Sequence, residues 1–444
     1  MKKLFGTDGI RGVAGIDLTT DLAYAVGRAA AILAAGDTEP TKLVIGRDTR
    51  LSGAALEKAV IAGVVSTGAD VVKLGIIPTP AVAYLTRAFS ADGGIVISAS
   101  HNPVEDNGIK LFDRAGFKLS PEEEAALESL AVSECVFEGS GPDGCVSDAS
   151  LAGRERYIDY IVDCLPVRPE GVNVVLDCCN GAAYQVAGEA FKRAGTTVAE
   201  INNADRGDLI NVDCGSTNPA RVAVEVARRP GFFGLAFDGD ADRVIAVDES
   251  GAVCDGDFIL AIIASYMKEQ GVLTDESVVS TVMANFGFKT AMAERGVKII
   301  ESDVGDRHVL AAMRQAGLNF GGEQSGHIIF LDHTTTGDGI LTGLMLASIM
   351  AATGQPLSEL RKVMLKMPQV LINIPVGAKD RLPGAVRLWE QTKAKEETLD
   401  GRGRILIRAS GTEPLVRVMV EAPAQDEADS IANELAGIVK EELG

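Results

Sequence analysis

KLVIG (42–46), DVVKLGI (70–76) and GGIVISAS (93–100) are three short apolar runs rich in Val and Ile, and the segments between them, 52–67 and 79–89, space their apolar residues as helices do. Strand, helix, strand, helix, strand in that order is the pattern of a parallel sheet with crossover helices. The pattern restarts beyond the Gly- and Pro-containing stretch EGSGPDG (138–144). There a helix near 154–164 leads into NVVLD (173–177), a helix ending at Ala194, TVAEI (197–201), a helix over 221–228 and GLAFD (234–238). A third round takes in a helix at 258–270, SVVSTVM (277–283), KIIESD (298–303), a helix at 307–316 and HIIFLD (327–332). Three similar α/β domains explain this better than one large sheet.

After Lys366-Met367-Pro368 the pattern changes. A helix near 385–396, the close strands RILIRAS (404–410) and VRVMVEA (416–422), and an amphipathic helix at 427–443 read as a smaller α+β domain with an antiparallel hairpin. The expected domains are therefore α/β at 1–150, 151–252 and 253–367, and α+β at 368–444.

At roughly 150 residues per domain, 444 residues suffice for about three domains, each with its own core. With 46% hydrophobic and 23% charged residues, the composition excludes disordered and collagen-like chains. Asp and Glu number 62 against 42 Lys and Arg, a net charge of −20 that repels nucleic acid and anionic membranes. An anionic substrate then needs a local basic pocket. The opening MKKLFGTDGIRG has no apolar run of signal-peptide length, and the most apolar window, 340–352, is too short and interrupted to span a bilayer, so a buried helix is expected there. Seven cysteines without a CxxC pair suit a reducing cytoplasm.

Five polar segments fall at or beside strand ends, where α/β units gather helix dipoles and open amides. SASHNP (98–103) places Ser100 and His101 at a strand tip. A nucleophilic serine fits there, as does a polar turn that merely stops the strand. No G-x-S-x-G elbow occurs, which weakens a hydrolase reading. DGDAD (238–242), followed by Arg243, sets carboxylates at alternate residues and suits a hard divalent cation. A calcium EF-hand shares that spacing, and Glu249 falls at its twelfth position, but Arg243 stands where the loop needs Gly. Magnesium beside a phosphoryl group is the better reading.

GGEQSGH (321–327) offers Glu323, Gln324, Ser325 and His327 on a Gly-hinged loop, groups that suit sugar hydroxyls or an ordinary turn. RASGTEP (408–414), with Arg417 nearby, combines guanidinium groups, hydroxyls and a Gly amide as a phosphate cradle does. GRD (46–48) and FGTDGIRG (5–12) add Arg47 and Arg11, which also suit plain ion pairs. Lys110, in DNGIKLF (106–112), can handle the proton of an attacking hydroxyl if its pKa is lowered. The G-x-G-x-x-G match at 139–144 contains Pro142 and follows no clear strand, and no G-K pair forms a P-loop.

In combination, KLFGTDGIRG (3–12), GIVISASHNP (94–103), INVDCGSTNP (210–219), GLAFDGDADR (234–243), GGEQSGH and TTTGDGIL (334–341) resemble the α-D-phosphohexomutases, most of all the branch acting on glucosamine phosphates. The resemblance implies three α/β domains and a smaller α+β domain around a central cleft. It implies a phosphorylated Ser100, required for activity, and one Mg²⁺ per active site held by Asp238, Asp240, Asp242 and the Ser100 phosphate. Glu323 and Ser325 would bind sugar hydroxyls, and Arg408, Ser410, Gly411, Thr412 and Arg417 the distal phosphate. Lys110, Arg11 and His327 would handle protons and stabilise charge, and Arg243 would bind substrate and stabilise charge. The reaction implied converts glucosamine 6-phosphate to glucosamine 1-phosphate through the 1,6-bisphosphate and feeds UDP-N-acetylglucosamine synthesis. The expected partner is a small phosphosugar, with no nucleic acid and no membrane, for a cytoplasmic monomer or homodimer. Gln324 stands where relatives acting on glucose or mannose phosphates often carry Met. A metal-dependent phosphatase and a non-catalytic sugar-phosphate binder are the rival classes, and the second phosphate cradle argues against the first.

Overall fold

The computed structural model describes residues 4–6, 8–35, 40–132, 143–410 and 414–444. They group into two compact units, one of Met1–Met283 with Val297–Lys362, the other of Ala284–Gly296 with Val363–Gly444.

The first unit holds three sheets. The first has six strands in the order Ile10–Val13, Asp106–Asp113, Gly93–Ile97, Lys42–Arg47, Asp70–Ile76, Val146–Asp148. Its centre is parallel, as the apolar runs predicted, with Gly93–Ile97 buried along its whole length and Lys42–Arg47 buried but for its ends. The helices Thr20–Ala34 and Gly53–Val65 share a core with Ile45, Ile95 and Ile97. They cross closely: a Cβ on Gly63 would stand 2.1 Å from the Tyr24 carbonyl oxygen. The strand Asp106–Asp113 runs antiparallel between Gly93–Ile97 and Ile10–Val13, and it carries Lys110 opposite Val96.

The second sheet orders Val253–Cys254, Val244–Val247, Phe232–Phe237, Asn173–Asp177 and Thr197–Ile201. The third orders Lys298–Ser302, Ser277–Thr281, Phe320–Gly322 and Ile328–Phe330, the last pair antiparallel. The apolar window is the helix Gly339–Thr353, buried from Gly339 to Ile349. Among the described residues no single helix is long and apolar enough to cross a membrane.

The second unit is a three-stranded antiparallel sheet, Gln369–Pro375, Leu415–Glu421 and Arg404–Ala409, under the helices Val386–Leu399 and Gln425–Leu443. The expected hairpin gains Gln369–Pro375 on its far side. This unit also takes in the helix Phe286–Glu294, which in sequence lies within the third α/β round. The buried Glu421 carboxylate is the tie, accepting Asn285 Nδ2 at 2.8 Å, the Phe286 N–H at 3.1 Å and Arg404 Nε at 2.5 Å.

Candidate active site

Ser100 lies just beyond the strand Gly93–Ile97 with a left-handed backbone, φ +52°, a conformation costly for a residue with a side chain. Its hydroxyl donates to Asp238 Oδ2 at 2.6 Å and lies 3.2 Å from His101 Nδ1. Asp238, Asp240 and Asp242 follow the strand Phe232–Phe237, and one ligand oxygen from each lies within 4.8 Å of the others, all buried. Gly239 makes the approach possible, since a Cβ there would stand 2.5 Å from the Ser100 carbonyl oxygen.

Burial, Asp242 and Asp240 push the Asp238 carboxyl well up. Burial acts on Asp242 too, but Lys110 and His327 outweigh it and hold that carboxyl well below the usual range. Asp240 Oδ1 and Asp242 Oδ1 are buried without a hydrogen-bond partner. Repelling carboxylates with orphaned oxygens fit a hard divalent cation.

Lys110 Nζ stands 2.8 Å from Asp240, 3.1 Å from Asp8 and 3.4 Å from Asp242. Burial favours the neutral amine, but these carboxylates prevail and hold its pKa well above normal. That direction is opposite to the lowered pKa expected of a proton-handling lysine. His327 is buried, accepts the Gly337 N–H on Nε2 at 3.0 Å and points Nδ1 at Asp242 Oδ2, 3.6 Å away. Burial lowers its pKa, but Asp242 and Asp306 together raise it further than burial lowers it. His101 is the opposite case. Burial, Arg243 and Arg11 lower it to about 4, so it is neutral near pH 7, and its Nδ1 lies 3.2 Å from Arg243 Nη1.

Arg11 donates to Asn102 Oδ1 at 3.0 Å and pairs with Asp8, which ties it to the serine loop. Glu323 is buried and accepts the Gly305 N–H at 3.0 Å, whereas Ser325 is exposed on the same loop. In the second unit Arg408 and Arg417 face each other directly across antiparallel strands. Burial and Arg417 lower the Arg408 pKa. Ser410 accepts Lys379 Nζ on its carbonyl oxygen at 3.0 Å; Gly411 and Thr412 lie outside the described residues.

Several site neighbours escaped the motif reading. Thr79 donates its hydroxyl to Asp240 Oδ2 at 2.5 Å from a helix start far away in sequence. Lys118 bridges Asp8 and Asp306. Arg50 and Asn211 grip the backbone of the serine loop. Asn211 lies within INVDCGSTNP (210–219), and Arg50 three residues beyond Arg47, but nothing local in the sequence marks either side chain as facing residue 100.

Family models for the phosphoglucomutase/phosphomannomutase alpha/beta/alpha domains I, II and III match residues 2–134, 155–251 and 255–367, and that for the C-terminal domain matches 371–438. A phosphoglucosamine mutase of Moorella thermoacetica is 50% identical over 97% of this chain and 98% of its own. One of Clostridium novyi is 48% identical over 99% of both chains. A crystal structure of a phosphoglucomutase/phosphomannomutase family protein of Burkholderia thailandensis superposes with a TM-score of 0.83 at 25% identity, covering 99% of this chain and 97% of the other. Three α/β domains and a C-terminal domain, matched in order along nearly the whole chain, place it in the α-D-phosphohexomutase superfamily: the chain belongs to the phosphoglucomutase/phosphomannomutase family.

Proposed function

We propose that the chain is a phosphoglucosamine mutase, interconverting glucosamine 6-phosphate and glucosamine 1-phosphate through a phosphoserine at Ser100 and glucosamine 1,6-bisphosphate. The observation that carries the reading is the Ser100 hydroxyl, 2.6 Å from one carboxylate of a buried three-carboxylate cluster. The full-length relatives at 50% and 48% identity support glucosamine as the sugar.

Phosphoserine 100 gives its phosphoryl group to the free hydroxyl of the bound monophosphate, and the bisphosphate returns its other phosphate to Ser100. Phosphoryl transfer depends mainly on positioning and charge stabilisation. Held by Asp238, Asp240, Asp242 and the Ser100 phosphate, Mg²⁺ would neutralise charge on the phosphoryl oxygens. Lys110 and Arg243 supply fixed positive charge, and Arg11 secures the loop through Asn102. His327 faces Asp242 and is the remaining candidate for proton transfer. Glu323 and Ser325 bind sugar hydroxyls, while Arg408, Ser410, Gly411, Thr412 and Arg417 bind a sugar phosphate. The domains run 1–150, 151–252, 253–367 and 368–444. Cytoplasmic residence agrees with six free cysteines among the described residues.

Assays with glucosamine, glucose and mannose phosphates, with inorganic phosphate measured in parallel, test the reading. Glucosamine phosphates should turn over fastest without phosphate release, EDTA should stop turnover, and Ser100→Ala should lose both the protein-bound phosphate and activity. Faster turnover of glucose phosphates would overturn the sugar assignment, and stoichiometric phosphate release would make the enzyme a phosphatase.

A further inference from the structure

Behind the serine loop lies a cation that the reaction as described does not use. Arg50 is 1% exposed, and its guanidinium meets the backbone of the loop. Nη2 donates to the carbonyl oxygens of Ser100 at 2.9 Å and Asn102 at 2.8 Å; Nη1 donates to that of Asp106 at 2.9 Å and to that of Pro103. Nε donates to Asp48 Oδ2 at 3.1 Å. These contacts use all five guanidinium N–H donors, so none is left for a substrate.

The same cluster also holds the loop through Ser98. Asp48 Oδ2 also accepts the Ser98 hydroxyl at 2.6 Å, and Ser98 Oγ accepts the Ser100 N–H at 2.9 Å. Both backbone polar groups of Ser100 therefore end on the Asp48–Arg50 pair. Asn211 Nδ2 reaches two of the same carbonyls, Ser100 at 2.9 Å and Asn102 at 3.1 Å. A left-handed, non-glycine Ser100 is disfavoured by its own sterics and persists only where its surroundings impose it. Four carbonyls converging on one planar fork supply that constraint, which a lysine, with three donors on a point charge, does not reproduce.

We propose that Arg50 is a positioning residue for phosphoryl transfer, holding Ser100 in its left-handed conformation through the carbonyls of residues 100, 102, 103 and 106 so that Oγ faces the carboxylate cluster. The inference rests on the phosphoserine reading above. Arg50 makes no contact open to sugar or phosphate, so its loss should lower kcat and leave KM in place.

The test compares wild type, Arg50→Lys and Asn211→Ala. Each is assayed in both directions and in single turnovers that follow phosphate loading onto Ser100 from glucosamine 1,6-bisphosphate, at temperatures well below each melting temperature. Displacing a reacting atom by about an ångström costs on the order of a hundredfold in rate. Arg50→Lys should lose roughly ten- to a hundredfold in kcat and equally in the loading rate, with KM within about twofold. Asn211→Ala should show a smaller loss with the same split. A folded Arg50→Lys with unchanged kcat and loading rate, or with raised KM and unchanged kcat, overturns the proposal. Should Arg50→Lys fail to fold, Arg50→Gln takes its place: slower loading at constant KM supports the proposal, and wild-type loading overturns it. A wild type that accepts no phosphate on Ser100 would instead defeat the phosphoserine reading, a result distinct from either variant's.

Discussion

Lys110 and His101 lie near the same carboxylates, yet their surroundings drive their titrations in opposite senses. Three carboxylates within 3.4 Å outweigh burial and raise the Lys110 pKa, a direction that favours a role as charge over one as base. Lys110→Met should then lose about 10²–10³ in kcat, the scale of one preorganised electrostatic contact, and Lys110→Arg should keep clearly more activity. Equal losses in the two variants would point to proton transfer instead. His101 is lowered to about 4, so its imidazole C–H resonances should not shift between about pH 5 and 8. Because the folded pKa lies below the unfolded value near 6.5, the unfolded chain binds the extra proton first. His101 therefore contributes stability that is complete above that value and lost as pH falls toward 4. An NMR midpoint near 6.5 would refute the neutral, Arg243-facing ring.

The helix Gly339–Thr353 shows the same physics at the level of an element. Asp338 caps it, accepting the Leu341 N–H at 2.9 Å on Oδ1 and the Tyr157 hydroxyl at 2.8 Å on Oδ2. Burial outweighs both hydrogen bonds and pushes the carboxyl up to about 6. With the folded pKa above the unfolded value near 3.9, the folded chain binds the proton more tightly, and Asp338 costs stability as pH rises from about 4 to 6. Asn can still cap but carries no charge. Asp338→Asn should therefore gain on wild type between pH 4 and 7, by on the order of 2 kcal/mol, in urea unfolding at the two pH values. A pH-independent difference would show that the carboxyl titrates normally. The helix itself was legible in the sequence because its window is the most apolar in the chain. The strand Asp106–Asp113 was not: its DNGIKLFD carries four polar residues, a Gly and no clean alternation, and only pairing on both sides makes it a strand. The short strand Phe320–Gly322 was hidden similarly, since two of its residues are the glycines of the supposed loop.

At the scale of the molecule, the parallel sheet centres and the acidic loop could be read locally, because a buried strand is a continuous apolar run and the three Asp lie within five residues. What surrounds Ser100 could not, since Arg50, Asn211 and Asp238 reach it from 50, 111 and 138 residues away. The cluster in the second unit lies between these cases: its arginines were visible, but not that Arg408 and Arg417 stand directly opposite each other. Like charges so placed repel, and the depressed Arg408 pKa records burial together with that repulsion. A bound phosphate dianion would relieve it, with Lys379, held near the Ser410 carbonyl, adding positive charge. A mutase passing through a bisphosphate must present each phosphate to Ser100 in turn, so a site for the other phosphate serves both directions. Losing one charge-assisted Arg–phosphate contact costs about 1.5–3 kcal/mol, roughly ten- to a hundredfold in binding. Arg408→Ala should therefore raise KM by that factor for glucosamine 6-phosphate and for glucosamine 1-phosphate, release more bisphosphate during turnover and leave Ser100 phosphorylated. A KM raised in one direction only would restrict the site to one phosphate position, and KM unchanged in both would place the second phosphate on other residues.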